Sequence, residues 1–299
     1  MSAPRKALDT LAVATMLVLC VLWGLQQVAV KLAAPSMGPV MQIGLRSLAA
    51  AALVFVVILW KGERLSVRDR FFLPGIGAGV LFALEFLCVA VGLQYTTASH
   101  MSVFLYTAPI FTVLGLHWFI PGERLGPLQW MGAAAAFAGI AVAFSNGFSS
   151  TAKDWTSMLA GDALGVLGGL FWAATTLLIR RSALSEAPPA ITLFYQLASC
   201  GLILVAIAFA MGQGSGVVWN GTVWGSLFFQ AVIVAFFSYL VWFWMLRKYL
   251  ASRLSVFSFL TPMFGVGFGV LLLGDALDPR FVAGALLVML GVVMVNIRR

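Results

Sequence analysis

Glu85 and Arg46 are the residues whose type and position most invite chemistry, because each is an ionisable group set inside a long apolar run. Glu85 lies in FFLPGIGAGVLFALEFLCVAVGL (71–93). It sits about three residues, or roughly 5 Å along a helix, from the middle of that run. A carboxyl at that depth can bind a substrate amine or carry a proton; it can equally stay protonated and bond a neighbouring helix. Arg46 lies about six residues inside one end of the run 40–60, where a long stem can lift the guanidinium to an interface. Alternatively, the planar guanidinium fork matches the two oxygens of a carboxylate.

Around these two groups the sequence offers aromatic and hydrogen-bonding candidates. Trp23, Gln27 and Lys31 recur every four residues and share one helical face. Trp172, Thr175 and Thr176 follow Gly161, Gly165 and Gly169, a stripe of small residues that lets another helix come close. His100, Phe104, Thr107 and Phe111 fall at helical spacing, with Tyr106 on an adjoining face and Tyr95 just upstream. Gln196, Gln230 and Tyr239 supply hydrogen-bonding groups from the second half of the chain. A cavity lined this way suits an apolar or aromatic side chain, with the polar groups fixing an ionic end. Core packing and substrate contact both account for these stripes.

These residues need elements to hold them, and the composition says which. Of 299 residues, 62% are hydrophobic and 9% charged, against about 25% charged in soluble domains. Ten runs near twenty residues long recur, at 8–33, 40–60, 71–93, 99–120, 128–145, 159–181, 191–211, 222–246, 253–273 and 281–297. Each has about the length that crosses ~30 Å of hydrocarbon as a helix. The first exceeds a signal-peptide core and is interrupted by Gln26, Gln27 and Lys31, so it counts as a span.

Of the 18 Lys and Arg residues, fourteen fall on one side of these spans: Arg5, Lys6, Lys61, Arg64, Arg68, Arg70, Arg124, Arg180, Arg181, Arg247, Lys248, Arg253, Arg298 and Arg299. Lys31, Lys153 and Arg280 fall on the other. Basic residues are retained in cytoplasmic loops, which predicts both termini in the cytoplasm. The net charge of +8 is thus a topology signal spread over short loops, and no nucleic-acid partner is expected. Cys20, Cys88 and Cys200 all lie within spans and imply no disulfide framework. The chain contains no phosphate-cradling Gly-x-x-x-x-Gly-Lys-Ser/Thr loop, no His-Glu-x-x-His pair and no Gly-x-Ser-x-Gly elbow. An enzyme, a metal site or a cofactor is therefore not expected.

One stretch is written twice, as ASHMSVFLYTAPIF from Ala98 and ASRLSVFSFLTPMF from Ala251. The likeness extends downstream to Pro-Gly-Glu-Arg-Leu-Gly-Pro (121–127) against Gly-Asp-Ala-Leu-Asp-Pro (274–279), and upstream to Glu85 against Ser238 and Trp23 against Trp172. Residues 1–147 and 148–299 are accordingly read as two repeats of five spans each. Five is odd, so the second copy enters the membrane from the opposite side. Inverted repeats are a signature of secondary transporters, in which two pseudo-symmetric halves exchange conformations. Pro109 and Pro262 occupy the same mid-span place in both copies, where a missing amide proton breaks the helix, and they are read as hinges.

A proline halfway along spans four and nine, followed by an acidic turn and a glycine-bearing helix, resembles the paired EamA domains of the drug/metabolite transporter superfamily. The resemblance covers nearly the whole chain, with bacterial exporters of amino acids, aromatic ones included, as its nearest members. It implies an all-α membrane protein of ten transmembrane helices in two inverted five-helix repeats around a central cavity, carrying small metabolites outward. It also gives Arg46 an architectural reading, because an arginine there is common in the family. The expectation is an uncoupled secondary exporter in a bacterial inner membrane, amino acids first. A proton-coupled drug or nucleoside carrier is the alternative, followed by a channel or a membrane enzyme. Expected partners are a small-molecule substrate and the lipid bilayer; a monomer and a larger assembly both fit.

Overall fold

A computed structural model of the protein describes residues 6–96, 98–120, 122–145, 155–273 and 279–296. Among the described residues there are thirteen α-helices and no strand longer than one isolated bridge. In chain order they are α1 (Thr10–Ala33), α2 (Pro39–Trp60), α3 (Phe72–Tyr95), α4 (Ala98–Leu105), α5 (Ala108–Phe119), α6 (Pro127–Ala143) and α7 (Trp155–Arg181). Then follow α8 (Pro189–Ala210), α9 (Gly221–Phe228), α10 (Tyr239–Lys248), α11 (Ala251–Phe257), α12 (Leu260–Leu273) and α13 (Pro279–Asn296). Nine helical runs among the described residues have the length and hydropathy to cross a membrane. The shorter α6, at 17 residues, spans roughly 26 Å. The spans read from the sequence are therefore present, and the chain is an integral membrane protein.

Local chemistry marks the helix ends. The Asp9 carboxylate caps α1 by accepting from the Ala12 amide at 2.9 Å. Proline sits in the first turn of α2, α5, α6 and α8, where its missing N–H costs no helical bond. Both α2 and α8 end in the same turn. Gly62 and Gly212 adopt φ of 68° and 75°, and the next residue in each case donates back to Ile58 or Ala208. Only glycine takes that left-handed position without strain, and it recurs at matching places in the two halves.

Three spans differ from straight helices. Span four breaks at Tyr106–Thr107 into α4 and α5, and span nine breaks at Ser258–Phe259 into α11 and α12. Pro109 and Pro262 stand just after these breaks, in the first turn of the following helix. The rings cannot accept a helical residue four positions earlier, so the chain turns before them. Span eight runs α9, then a π-helix over Phe229–Ser238, then α10. Periodicity did not signal that π stretch, whose wider turn is rare and frequently found at functional sites.

The helix pairing maps onto itself when span numbers shift by five. Span two packs on span seven (α2 on α8), and span five on span ten (α6 on α13). Spans four and six meet as α4 and α5 on α7, and spans nine and one as α11 and α12 on α1. Glycines set the closest approaches: a Cβ on Gly139 would fall 2.7 Å from the Gly284 carbonyl, and one on Gly132 2.7 Å from that of Gly291. Gly161, Gly165 and Gly169 seat α7 against Thr96, Phe104 and Leu105. The α7 stripe is thus used within this chain.

Two faces close the bundle. The face carrying Lys6 also carries Lys61, Arg64, Arg68, Arg70, Arg124, Arg181 and Arg247, and is called the basic face below. The opposite face carries the turns at 34–38 and 211–220. Arg5, Lys153, Arg298 and Arg299 lie outside the described residues.

Candidate functional site

The deepest polar groups converge on an aromatic chain that links α1, α2, α3 and α10. Trp23 of α1 meets the rings of Tyr239 and Trp242 edge-on, with centroids 6.4 Å and 5.6 Å apart. Its indole N–H donates to Ser238 Oγ at 3.0 Å. Tyr239 meets Phe82 at 6.0 Å, and Phe82 meets Phe86 at 4.9 Å. The guanidinium of Arg46 lies 5.1 Å from the centroid of the Phe86 ring, within cation–π range. Helix periodicity explains the α3 contribution: Phe82 and Phe86 are four apart and stack on one face, with Glu85 beside them.

Arg46 is buried at 1% exposure. None of its three guanidinium nitrogens has a hydrogen-bond partner. That rules out the snorkelling geometry, in which the head reaches water. A buried guanidinium with five N–H donors and no protein acceptor is costly, and such groups in folded proteins call for a partner. Glu85, 7% exposed, is electrostatically coupled to Arg46. The Tyr239 hydroxyl approaches the guanidinium without forming a hydrogen bond. Sequence reasoning gave Glu85 no partner; the fold supplies Arg46, from a different helix. Gln196 of α8, also buried, leaves its side-chain oxygen without a partner.

A second group joins the first from the other half. Trp172 of α7 meets Tyr106 edge-on at 5.6 Å, and Tyr106 lies within electrostatic reach of Glu85 and against Thr261. Phe104 is partly buried at the α4–α7 contact, where a Cβ on Gly165 would lie 2.9 Å from its own Cβ. Trp23 and Trp172, matched in sequence, therefore each stack on a tyrosine, Tyr239 and Tyr106.

Other candidates stand apart. The Thr176 hydroxyl donates to the Trp172 carbonyl of its own helix at 3.4 Å, which occupies its proton. Gln27 is exposed one turn along α1 from Trp23, beside Gly265 of α12. Tyr95, 42% exposed, ends α3 at the opposite face, away from the cluster. The His100 side chain lies outside the described residues. Gln230 is buried and donates to Gln42 and Ser226 at 3.0 and 2.9 Å, in a network nearer the opposite face. Ser238, Phe82, Phe86 and Trp242 belong to the cluster and were missed. Ser238 alone left a trace, as the repeat partner of Glu85. Among the described residues no group of His, Cys, Asp and Glu has metal-binding geometry.

Arg46, Glu85 and the ring system together present a positive head, a carboxyl and an aromatic wall within one cluster. The profile of the EamA-like transporter family matches residues 10–145 and again 159–297. An uncharacterized transporter of Archaeoglobus fulgidus is 31% identical over 93% of this chain and 95% of its own. YoaV of Bacillus subtilis, likewise an uncharacterized transporter, is 23% identical over 91% and 92%. A probable amino-acid metabolite efflux pump of Escherichia coli is 26% identical over 92% and 91%. A solved crystal structure superposes with a TM-score of 0.79 over 95% of this chain and 96% of that one, at 20% identity, a likeness of fold.

Proposed function

This chain belongs to the EamA-like transporter family, and from that premise we propose that it exports small zwitterionic metabolites, neutral and aromatic amino acids first, by alternating access of its two inverted halves. The observation that carries this reading is Arg46, buried, coupled to Glu85 and without a hydrogen-bond partner. A substrate carboxylate satisfies the guanidinium fork with charge-assisted bonds. Its ammonium group then faces Glu85, and its side chain lies on the wall formed by Trp23, Tyr239 and Phe86. The efflux function named for the Escherichia coli relative points the same way.

The basic face is assigned to the cytoplasm of a bacterial inner membrane, with both termini there. The surplus of Lys and Arg in its loops supports that orientation. Pro109 and Pro262, at the breaks in spans four and nine, are the proposed hinges. Transport is facilitative by default. Proton-coupled efflux of drugs or nucleosides is the second reading, and the buried Glu85 carboxyl is the observation that favours it.

Counterflow in proteoliposomes tests the proposal. Unlabelled neutral amino acid inside should accelerate uptake of label and saturate. Unsaturable flux would make the protein a channel, and chemical conversion of substrate would make it an enzyme. An imposed pH gradient that drives wild-type flux but not that of Glu85→Gln would favour proton coupling.

A further inference from the structure

The corner between α10 and α11, residues 246–252, gathers buried polar bonds that the aromatic cluster does not use. Arg180, at the end of α7, donates to the Leu246 carbonyl at 2.6 Å and to that of Tyr249 at 2.9 Å, and pairs with Glu123. Glu123, from the turn before α6, accepts from the amides of Ala251 and Ser252 at 3.1 and 3.0 Å and from the Ser252 hydroxyl at 2.9 Å. Both side chains are almost fully buried, at 1% and 3% exposure. From the other side comes the amino-terminal strap. Lys6 exchanges backbone bonds with Lys248 and Leu250 at 3.0 and 3.1 Å, and Asp9 accepts from the Tyr249 hydroxyl at 2.9 Å.

We propose that Glu123 and Arg180 form a latch that holds α11 shut over the basic face, and that each transport cycle must break it. The inference rests on the alternating-access reading above. Three features distinguish a latch from static glue. First, α11 is only seven residues long and is cut from α12 by the break at Ser258–Phe259, so it can swing as a unit. Second, the amides that open α11 are held from the first half, those of Ala251 and Ser252 by Glu123 and that of Leu250 by the Lys6 carbonyl of the strap, while Arg180 of its own half holds Glu123 in place. Hydrogen bonds can be exchanged for water at small net cost when a gate opens. A core contact cannot. Third, residues 254–260 behind the latch are buried, whereas Met263–Phe268 beyond Pro262 are only partly covered. Span nine is therefore sealed on the basic side and looser on the other. Breaking the latch admits substrate from the basic side.

Accessibility tests the latch without any substrate. In a protein with Cys20, Cys88 and Cys200 changed to Ser, Leu254→Cys is exposed to a membrane-impermeant maleimide from the basic face of oriented vesicles. Glu123→Gln should raise its labelling severalfold, and Arg180→Gln should do the same, with the double variant raising it no further than the larger single effect. Labelling unchanged by Glu123→Gln would overturn the proposal. To cover a folding defect, Glu123→Cys with Ser252→Cys is bridged by a short reducible bifunctional thiol reagent. Flux should stop on bridging and return on reduction; equal flux in both states would overturn the latch. Absence of counterflow in wild type, with the labelling response intact, would instead remove the transport reading and leave the latch standing.

Discussion

The indole of Trp23 donates to Ser238 across 3.0 Å, joining the middle of span one to the last residue of the π-helix in span eight. Ser238 occupies the place in the second repeat that Glu85 holds in the first. Equivalent places in the two inverted halves, mirrored across the midplane, therefore carry a carboxyl in one half and a hydroxyl, already bonded to a tryptophan, in the other. The two halves share a frame but not a chemistry, and the ionic part of the site belongs to the first.

Replacing Trp23 separates its ring from its N–H. Trp23→Phe keeps an aromatic edge against Tyr239 and Trp242 but loses one hydrogen bond, worth about 1 kcal/mol net. Ser238 keeps its own bond to Val234 at 2.6 Å, so no donor is stranded. Trp23→Ala removes the ring as well and costs about 3–5 kcal/mol. Denaturant unfolding in detergent should rank the variants in that order. Equal damage from both would mean that the hydrogen bond, and not the ring, holds span one.

Arg46→Met tests whether the guanidinium serves the fold or the substrate. Because Arg46→Met alone would leave Glu85 buried without its cation, it is made together with Glu85→Gln and compared with Glu85→Gln alone; replacing both members of a buried pair is often neutral, or stabilising by about 1–4 kcal/mol. The double variant should fold at least as well as Glu85→Gln alone and lose counterflow. A double variant that unfolds while any residual folded fraction still transports would return Arg46 to an architectural role.

Gly139→Leu should separate α6 from α13. The new Cβ would fall 2.7 Å from both the Gly284 carbonyl and the Val288 amide. Overpacking against side chains costs about 1–3 kcal/mol, and backbone yields less readily. Loss of the monodisperse peak in gel filtration is expected, with partial recovery in Gly139→Ala. Normal behaviour of the Leu variant would show that these helices can part without harm.

Acid should loosen the amino-terminal strap. The Ala12 amide, followed by the Tyr249 hydroxyl, holds the Asp9 carboxyl below its ordinary value of 3.8. A group with a lowered folded-state pKa contributes stability above its unfolded value, and that contribution fades as pH falls through the folded value. Asp9→Ala should therefore melt below wild type near neutral pH, and the gap should close only under acid below about pH 4. A gap independent of pH down to about 3 would assign the effect to the lost side-chain contact, not to its charge.

How much of this was legible beforehand depends on the range of each interaction. Span positions, the duplicated stretch and the breaks at Pro109 and Pro262 follow from local composition and from the geometry of single residues, so the chain itself declares them. Its kinship was readable for the same reason, since a motif repeated at fixed register survives without knowledge of contacts. Glu85 and Arg46 could be picked out because a charge inside an apolar run is conspicuous in one dimension.

Their association was not legible, and neither was the company they keep. Phe82, Phe86 and Trp242 look like any other apolar residues of a membrane helix, and only the crossing of α1, α2, α3 and α10 selects them. Glu123 and Arg180 appeared as ordinary loop and helix-end charges, one of them counted merely toward topology. Their burial against the start of α11 depends on three segments, distant along the chain, arriving at one corner. Hydrophobicity along the sequence fixes which segments enter the membrane, because each segment meets lipid on its own. Which polar groups meet inside is decided by helix packing, where every contact depends on the others.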